Sequence, residues 1–275
     1  MQRRSSVLLA TAFAAAAALA LAGCAGNTSP GGDTKPSSSA AADDYGLVAP
    51  GTLTVCSDVP YPPFEVEDTG SESGYSGFDI DLLTAIAKKI DLKIAVLDVD
   101  FDPLQSGATL VAGTCDIGAS AMTITADRQK NLDFSDPYYD SLQSLLVRKD
   151  SGIKGIDGLS GKSVGVQQGT TGENYAKENA KGANLVQYPS DGELWPAIQA
   201  GQIDAILQDQ PVNFEHEKAD SDYKIVETFK TDEQYGFAFA KGKMDKLRDA
   251  VNGALKQLKD DGEYQKIYDA YFTAK

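Results

Sequence analysis

The sequence predicts an α/β protein with two similar lobes. Short apolar runs alternate with helical patterns along the chain, as expected of mainly parallel sheets flanked by helices. A weak internal repeat supports two halves, because 112–116 and 200–204 both read AGxxD just ahead of a predicted strand. The C-terminal segment repeats neither half. Its return to the first half would create two crossing strands, with a cleft between the lobes.

The N-terminus has the layout of a secretory signal peptide. Arg3 and Arg4 precede 7–23, a run made almost wholly of Ala, Leu, Val and Phe. Neither this run nor any later one reaches the roughly 20 apolar residues that a membrane span needs. The run ends in LAGC, which resembles the bacterial lipobox, so we predict a signal peptide over 1–23 and lipidation of Cys24. The alternative is a cysteine that ends the run by chance.

The composition of the chain after the signal peptide limits its organisation and its partners. Residues 25–44 are mostly Gly, Ser, Pro, Thr, Ala and Asp, and we expect 24–50 to form a flexible linker. The remaining ~225 residues suit one large domain or two of about a hundred residues each. The net charge of −15, without basic clusters, argues against binding to nucleic acid or to an anionic lipid surface.

Cysteine and histidine contribute little predicted chemistry. If Cys24 is acylated, Cys56 and Cys115 remain, in an exported protein where a disulfide can form. We expect two inert thiols instead, because both lie beside predicted buried strands at positions offset along the sheet. The single histidine, His216, gives a Ser-His-Asp triad or a His-based zinc site almost nothing to use. We expect no cofactor and no metal ion.

The first half is predicted to contain strands at 53–58, 93–101 and 116–122, and an extended segment at 144–149. A helix over 77–90 begins at a glycine and places four apolar residues on one face: Ile80, Leu83, Ala87 and Ile90. A second helix is expected after Thr125.

The second half repeats the pattern of strand, glycine turn and helix over 163–180. Two strands and a short helix are predicted next, at 184–189, 203–209 and 193–200. The tail then gives a strand over 235–242, which crosses back, and two amphipathic helices separated near Gly262. We therefore predict lobe 1 over 51–141 and 238–275, and lobe 2 over 142–237.

Ligands of open α/β sheets bind beyond the carboxyl ends of the strands. This rule selects one set of residues from distant parts of the chain: Asp58, Tyr61, Phe101, Ser120, Ala121, Thr123, Gln167, Thr170, Thr171 and Asp209. Ala121 and Asp209 occupy equivalent places in the two halves, at the ends of the strands that follow AGxxD.

Arg128 and Asp209 give the predicted cleft two poles. A guanidinium matches a carboxylate bidentately, Thr123 adds a hydroxyl and an N–H, and the GTTG turn over 169–172 opens a helix whose free N–H groups favour an anion. Asp209 would supply the counter-charge for an ammonium group, and the two groups together describe an α-amino acid. Taken singly, each residue also has an ordinary interpretation, as a solvated arginine, a capping turn or an aspartate that closes a strand.

The chain resembles a known family over most of its length. Its segment 77–90 reads GFDIDLLTAIAKKI, which fits the signature of bacterial extracellular solute-binding proteins of family 3, the polar amino-acid receptors of ABC importers. The resemblance spans about 51–272 and includes SDVPYPPFE, MTITADR, LDFSDPYY, GKSVGVQQGTTGE, IDAILQDQP and QYGFAFAKG. It implies a two-lobed type II periplasmic-binding-protein fold that closes on an amino acid. It also implies a monomer, lipid-anchored to the outer face of the cell membrane, with importer permease subunits as partners.

The resemblance further implies four groups of contacts. Asp58 and Tyr61 would form the side-chain pocket, with Phe101 packed on the ligand, and Ser120, Ala121 and Thr123 would surround the α-carbon. Arg128, Thr170 and Thr171 would bind the carboxylate, and Asp209 the ammonium group. Ala121 is small, as in glutamine receptors. Gln167 stands where a glutamine receptor carries lysine and a basic-amino-acid receptor carries an apolar residue. Asp58 could hold an amide or a cation. We favour a polar uncharged ligand such as glutamine, with basic amino acids second.

Two other functions compete with import. Related folds include dehydratases that act on prephenate-like substrates, and a fold does not determine function. An enzyme would need an acid or base that ligand recognition does not already occupy, so we expect no enzymatic activity. The second competitor is a sensor that reports amino acids to a membrane partner.

Overall fold

The structure, a computed structural model that describes residues 45–273, has two five-stranded mixed sheets flanked by helices and a small two-stranded sheet. This confirms the predicted two-lobed α/β architecture. The predicted signal peptide, Cys24 and most of the predicted linker lie outside the described residues. Over 45–273, no helix combines the length and the apolar character that crossing a membrane requires.

The elements alternate along the chain as the apolar pattern predicts. The first ten are β1 (Thr52–Ser57), β2 (Val66–Glu67), β3 (Tyr75–Ser76), α1 (Phe78–Lys89), β4 (Lys93–Asp98), α2 (Phe101–Gln105), α3 (Ala108–Val111), β5 (Ile117–Gly118), β6 (Leu132–Phe134) and β7 (Tyr139–Arg148). They are followed by β8 (Ser163–Gln167), α4 (Thr171–Asn179), β9 (Asn184–Tyr188), α5 (Asp191–Gln199), β10 (Ala205–Asp209), α6 (Gln210–Ala219), β11 (Tyr223–Tyr235), β12 (Ala238–Ala240), α7 (Asp245–Asp260) and α8 (Glu263–Phe272).

The chain crosses between the two sheets twice. The sheet of lobe 1 has the strand order β4-β1-β5-β12-β6, and the sheet of lobe 2 has the order β11-β7-β10-β8-β9. The crossings lie between β6 and β7 and between β11 and β12. At this junction β7 and β11 pair antiparallel, with Tyr139 opposite Tyr235. The carboxyl ends of β1, β5, β8 and β10 carry residues that face the same junction.

Aromatic packing around Phe78 joins α1, α8 and the start of β7. The ring of Phe78 lies 5.0 Å from Phe272 and 5.9 Å from Tyr139, measured between centroids. Phe78 begins α1 directly after Gly77, which has a φ of +123°. A Cβ at Gly77 would lie 2.2 Å from the carbonyl oxygen of Phe64, so only glycine fits there. The glycine that opens the predicted helix is thus a packing requirement.

The prediction of a helix after Thr125 is wrong. The structure has only a 3₁₀ turn over Arg128–Lys130, because β6 begins at Leu132 and the chain must turn back to pair with β12. The predicted second strand also ends early, at Asp98, and Phe101 begins α2.

Cys56 and Cys115 form a disulfide, with 5.8 Å between their Cα atoms, so the expectation of two inert thiols is wrong. The offset between paired strands fixes the distance only between residues within those strands. Cys115 is outside them, in the turn between α3 and β5, so the offset did not apply to it. The next residue, Asp116, holds this turn against β1. Its carboxylate accepts hydrogen bonds from the backbone N–H groups of Thr54 and Val48, both at 2.7 Å.

We expect loss of this disulfide to lower the free energy of unfolding. The two cysteines are 59 residues apart in sequence. The chain-entropy treatment gives about 4 kcal/mol for a loop of this size. The variant C56A/C115A should therefore unfold at a lower urea concentration than the variant C24A, the matched control, when followed by circular dichroism. Three free thiols in the unreduced, denatured and unacylated chain would contradict the disulfide.

Candidate functional site

All eleven residues predicted for the cleft line one cavity between the lobes. The space between its lining atoms, open solvent included, is about 280 Å³. The lining residues are Asp58, Tyr61, Phe101, Ser120, Ala121, Thr123, Arg128, Gln167, Thr170, Thr171 and Asp209. The lobes also touch beside the cavity, because Gln168 Nε2 donates to Asp102 Oδ2 at 3.0 Å.

Arg128 is a buried cation bonded to neutral oxygens. Its side chain is 6% exposed, and its Nη1 and Nη2 donate to the carbonyl oxygens of Thr123 at 2.8 Å and Gly169 at 3.0 Å. Nε donates to Gln105 Oε1 at 3.3 Å, and the guanidinium lies 5.2 Å from the centroid of Phe101. Burial lowers the pKa of Arg128 to about 10, which leaves it charged at neutral pH. None of the described carboxylates pairs with it, so the site favours an incoming anion.

The start of α4 lies beside this guanidinium. Thr170 caps the helix, since its hydroxyl accepts from the N–H of Glu173 at 3.0 Å and donates to the carbonyl of Gln167 at 2.8 Å. The carboxylate of Glu173 accepts from the N–H of Gly169 at 2.9 Å. The Thr170 hydroxyl is therefore committed to the cap. The N–H groups of Thr171 and Gly172, in the first turn, lack intrahelical acceptors and suit an anion.

Asp209 forms the opposite pole, at the end of β10. Asp209 is 7% exposed, and its carboxylate accepts from the hydroxyls of Tyr61 at 3.0 Å and Tyr235 at 2.5 Å. The amide of Gln143 also donates to it at 2.5 Å. Burial, reinforced by the nearby Glu233, raises the pKa of Asp209 to about 7. A ligand cation at this carboxylate would stabilise its charged form.

Asp58 and Gln167 link the lobes at the far end of the cavity. Gln167 Nε2 donates to Asp58 Oδ2 at 2.5 Å and to the carbonyl oxygen of Pro189 at 3.0 Å. Burial raises the pKa of Asp58 to about 7, against the hydrogen bond from Gln167, which lowers it. This end of the cavity is therefore rich in acceptors.

Two buried acids that the sequence analysis did not select hold the loop after β5. Ser120 donates to Glu65 Oε1 at 2.6 Å, and the N–H of Ala121 donates to Asp79 Oδ2 at 2.9 Å. Asp79 also accepts from the Tyr138 hydroxyl at 2.6 Å. Ala121 has a φ of +43°, a conformation uncommon outside glycine, and the bond to Asp79 stabilises it. The sequence signal that could have found these two acids is the pair of motifs GFDID, which contains Asp79, and PPFE, which contains Glu65.

Glu233 and Gln143 were also missed. Glu233, on β11, accepts from the hydroxyls of Thr123 and Thr171, and Gln143 donates to it. Glu233 comes just before the segment QYGFAF that returns to lobe 1. An acid at a crossing strand was the signal that could have found it.

The cleft thus has a cationic pole and an anionic pole, with groups from both lobes at each. Arg128 binds carbonyls on either side of the cavity, and Asp209 of lobe 2 accepts from Tyr61 of lobe 1. Such an arrangement can hold a small zwitterion across the junction.

Comparison with known proteins agrees with this chemistry. A family model described as bacterial extracellular solute-binding proteins, family 3, matches residues 53–274. The lysine/arginine/ornithine-binding periplasmic protein of Escherichia coli (strain K12) is 34% identical over 244 residues, covering 85% of this chain and 92% of that protein. The ABC transporter glutamine-binding protein GlnH of Bacillus subtilis (strain 168) is 35% identical over 204 residues, covering 72% and 73%.

A solved structure shares the fold. An ancestral arginine-binding protein bound to glutamine matches with a TM-score of 0.75 and 38% sequence identity, covering 82% of this chain and 100% of that one.

The buried acid Asp209 predicts a dependence of stability on pH. Its pKa is raised from 3.8 to about 7 on folding, so the folded chain holds a proton that the unfolded chain releases. The resulting stabilisation is complete below about pH 4 and is lost as the pH rises through 7. The melting temperature of the ligand-free protein should fall between pH 5 and pH 8. The fall should be smaller in Asp209→Asn but not absent, because burial also raises the pKa of Asp58. An equal fall in both proteins would contradict the assignment.

Proposed function

The chain belongs to family 3 of the bacterial extracellular solute-binding proteins, and we propose that it is the substrate-binding lipoprotein of an ABC importer. It captures a polar L-amino acid between its lobes and delivers it to membrane permease subunits. The observation that carries this proposal is the meeting of Arg128 and Asp209 at one cleft, because an α-amino acid supplies the counter-charge for both.

The mechanism we propose is a shift between open and closed arrangements of the lobes. A ligand that touches both lobes favours the closed arrangement in proportion to the contacts that exist only there. Part of its binding free energy is used for closure, which lowers the apparent affinity. The two crossings between β6 and β7 and between β11 and β12 would act as the hinge, with lobe 1 over 51–141 and 238–275 and lobe 2 over 142–237.

We further propose that the protein is exported and anchored to the outer face of the cell membrane. Acylation of Cys24 would attach it, and 24–50 would tether the binding domain within reach of the permease. Two or more acyl chains are enough for stable attachment without a spanning helix. The protein would act as a monomer.

The hydrogen bonds around Asp58 support a basic side chain on the ligand, the second choice of the sequence analysis after glutamine. Both neighbours of Gln167 Nε2 are acceptors, so its amide orientation is fixed and its donors are used. The hydroxyls of Ser120 and Tyr61 donate to acids as well. Asp58 Oδ1 and Gln167 Oε1 accept no hydrogen bond from any described residue.

An ammonium or guanidinium group, which only donates, would satisfy this end of the cavity. The amide of glutamine would leave its own oxygen without a donor, at a cost of about 1–3 kcal/mol. We therefore propose L-arginine or L-lysine ahead of L-glutamine as the ligand. The relatives compared above are named as binding proteins, and we propose no catalytic step.

Calorimetry with each of the twenty L-amino acids tests the proposed function. We expect saturating heat at one ligand per chain for at least one polar amino acid. Arg128→Met should weaken binding at least ~100-fold, because it removes the buried partner of the carboxylate. The matched control Arg148→Met removes an exposed arginine on lobe 2 and should bind normally. Absence of binding to all twenty would refute the proposal, and heat flow that continues after each injection would indicate an enzyme.

The variant Asp58→Asn tests the ligand's side chain separately. An asparagine offers a donor as well as an acceptor, so affinity for L-arginine should fall about tenfold or more while affinity for L-glutamine changes less. Titrations of both amino acids into both proteins give the comparison. Tighter binding of L-glutamine than of L-arginine and L-lysine by the unmodified protein would overturn the preference.

A further inference from the structure

We propose that Glu233 is a second acid of the anionic pole, where the ligand's ammonium group would lie. By accepting hydrogen bonds from Thr123 and Thr171, it makes both hydroxyls acceptors towards the ligand. The inference rests on the proposed amino-acid binding. It assigns a specificity-determining role to a residue of β11 that does not line the cavity itself.

Glu233, on β11, is bonded to the loop after β5 and to the start of α4. Its side chain is 9% exposed, and its Oε2 lies 2.7 Å from Thr123 Oγ1 and 2.7 Å from Thr171 Oγ1. Thr123 belongs to the loop after β5 in lobe 1, whereas Thr171 begins α4 in lobe 2. The two hydroxyl oxygens are 3.5 Å apart. One carboxylate oxygen of the hinge strand therefore holds a hydroxyl from each lobe.

Counting protons fixes the direction of these bonds. A hydroxyl has one proton and two lone pairs, and an ionised carboxylate has no proton to donate. Both hydroxyls must therefore donate to Glu233. Thr171 Oγ1 also lies 3.3 Å from Gln143 Nε2, but the two protons of that amide go to Asp209 and Glu233 at shorter distances. Thr123 and Thr171 then present lone pairs to the cavity, and these suit the N–H groups of an ammonium.

This assignment reverses the expected roles of the Thr123 and Thr171 hydroxyls, which the sequence analysis placed at the ligand's carboxylate. The carboxylate keeps the guanidinium of Arg128 and the N–H groups at the start of α4. The threonine hydroxyls join Asp209 at the other pole. The α-carbon would lie between the two sets.

Charge supports the same assignment. The amide of Gln143 donates to Glu233 Oε1 at 3.1 Å and to Asp209 Oδ1 at 2.5 Å, so its two protons bridge two acids. Glu233 and Asp209 repel each other. A ligand ammonium, with three N–H donors and a positive charge, would relieve this repulsion.

The experiment compares L-amino acids with analogues that lack only the ammonium group. The probes are L-arginine with 5-guanidinopentanoic acid, and L-glutamine with 5-amino-5-oxopentanoic acid. Glu233→Gln keeps the shape of the side chain and removes its charge, and Thr171→Val removes one hydroxyl. Glu227→Gln is the matched control, since Glu227 lies on the same strand and bonds to the N–H of Ile156 away from the cleft. Melting curves check that each variant is folded.

We expect Glu233→Gln and Thr171→Val to weaken binding of the L-amino acid at least tenfold and to change binding of its analogue less than threefold. Glu227→Gln should change neither. Equal losses of affinity for the L-amino acid and for its analogue would overturn the inference. The hydroxyls would then contribute to carboxylate binding or to lobe closure, and not to ammonium binding. Unchanged affinity for the L-amino acid would overturn it too.

If an analogue binds too weakly to titrate, the double variant D209N/E233Q decides. Losses smaller than the product of the single losses support a shared ammonium site, and independent losses contradict it. Failure of the unmodified protein to bind any of the L-amino acids refutes the proposed function itself, and so is distinct from failure of the Glu233 assignment.

Discussion

The structure depends on a guanidinium that is buried without a carboxylate partner. Removing such a charge from water costs several kcal/mol unless other groups replace the lost hydration. Arg128 finds part of that replacement in carbonyl oxygens on both sides of the cleft, from Thr123 and Gly169. Carbonyl dipoles orient the guanidinium, and no described carboxylate forms a salt bridge with it. The buried positive charge of Arg128 therefore attracts an anion into the cleft.

The acids of the cleft likewise have neutral partners. Asp209 and Glu233 receive hydrogen bonds from hydroxyls and from the amide of Gln143, all of them neutral donors. Neutral donors fix the geometry of a carboxylate without cancelling its charge. Two of these bonds, from Tyr61 and Thr123 of lobe 1 to the acids of lobe 2, cross the cleft and favour the closed arrangement. Recognition and closure thus use the same atoms.

Much of this site could be predicted from the sequence, because strand ends in an open α/β sheet are set by short local patterns. Asp58, Gln167 and Asp209 each close an apolar run, and the fold brings such ends together. Glu233 and Gln143 could not be found this way, since both lie within long strands and their roles depend on which strands cross at the junction. The pairing of Cys56 with Cys115 was missed for a related reason. It depends on the path of a turn, which strand register does not describe.

That disulfide has a consequence for how the chain matures. It joins β1, whose end carries Asp58, to the segment entering β5, which is followed by Ser120. Disulfides form in oxidising compartments, whereas cysteine thiols stay reduced in the cytosol. On the export route proposed above, the newly made chain would carry two free thiols and a looser first lobe, a condition that suits passage through a narrow translocation channel. Oxidation on the far side would then fix one wall of the cleft only in the compartment where the ligand is found.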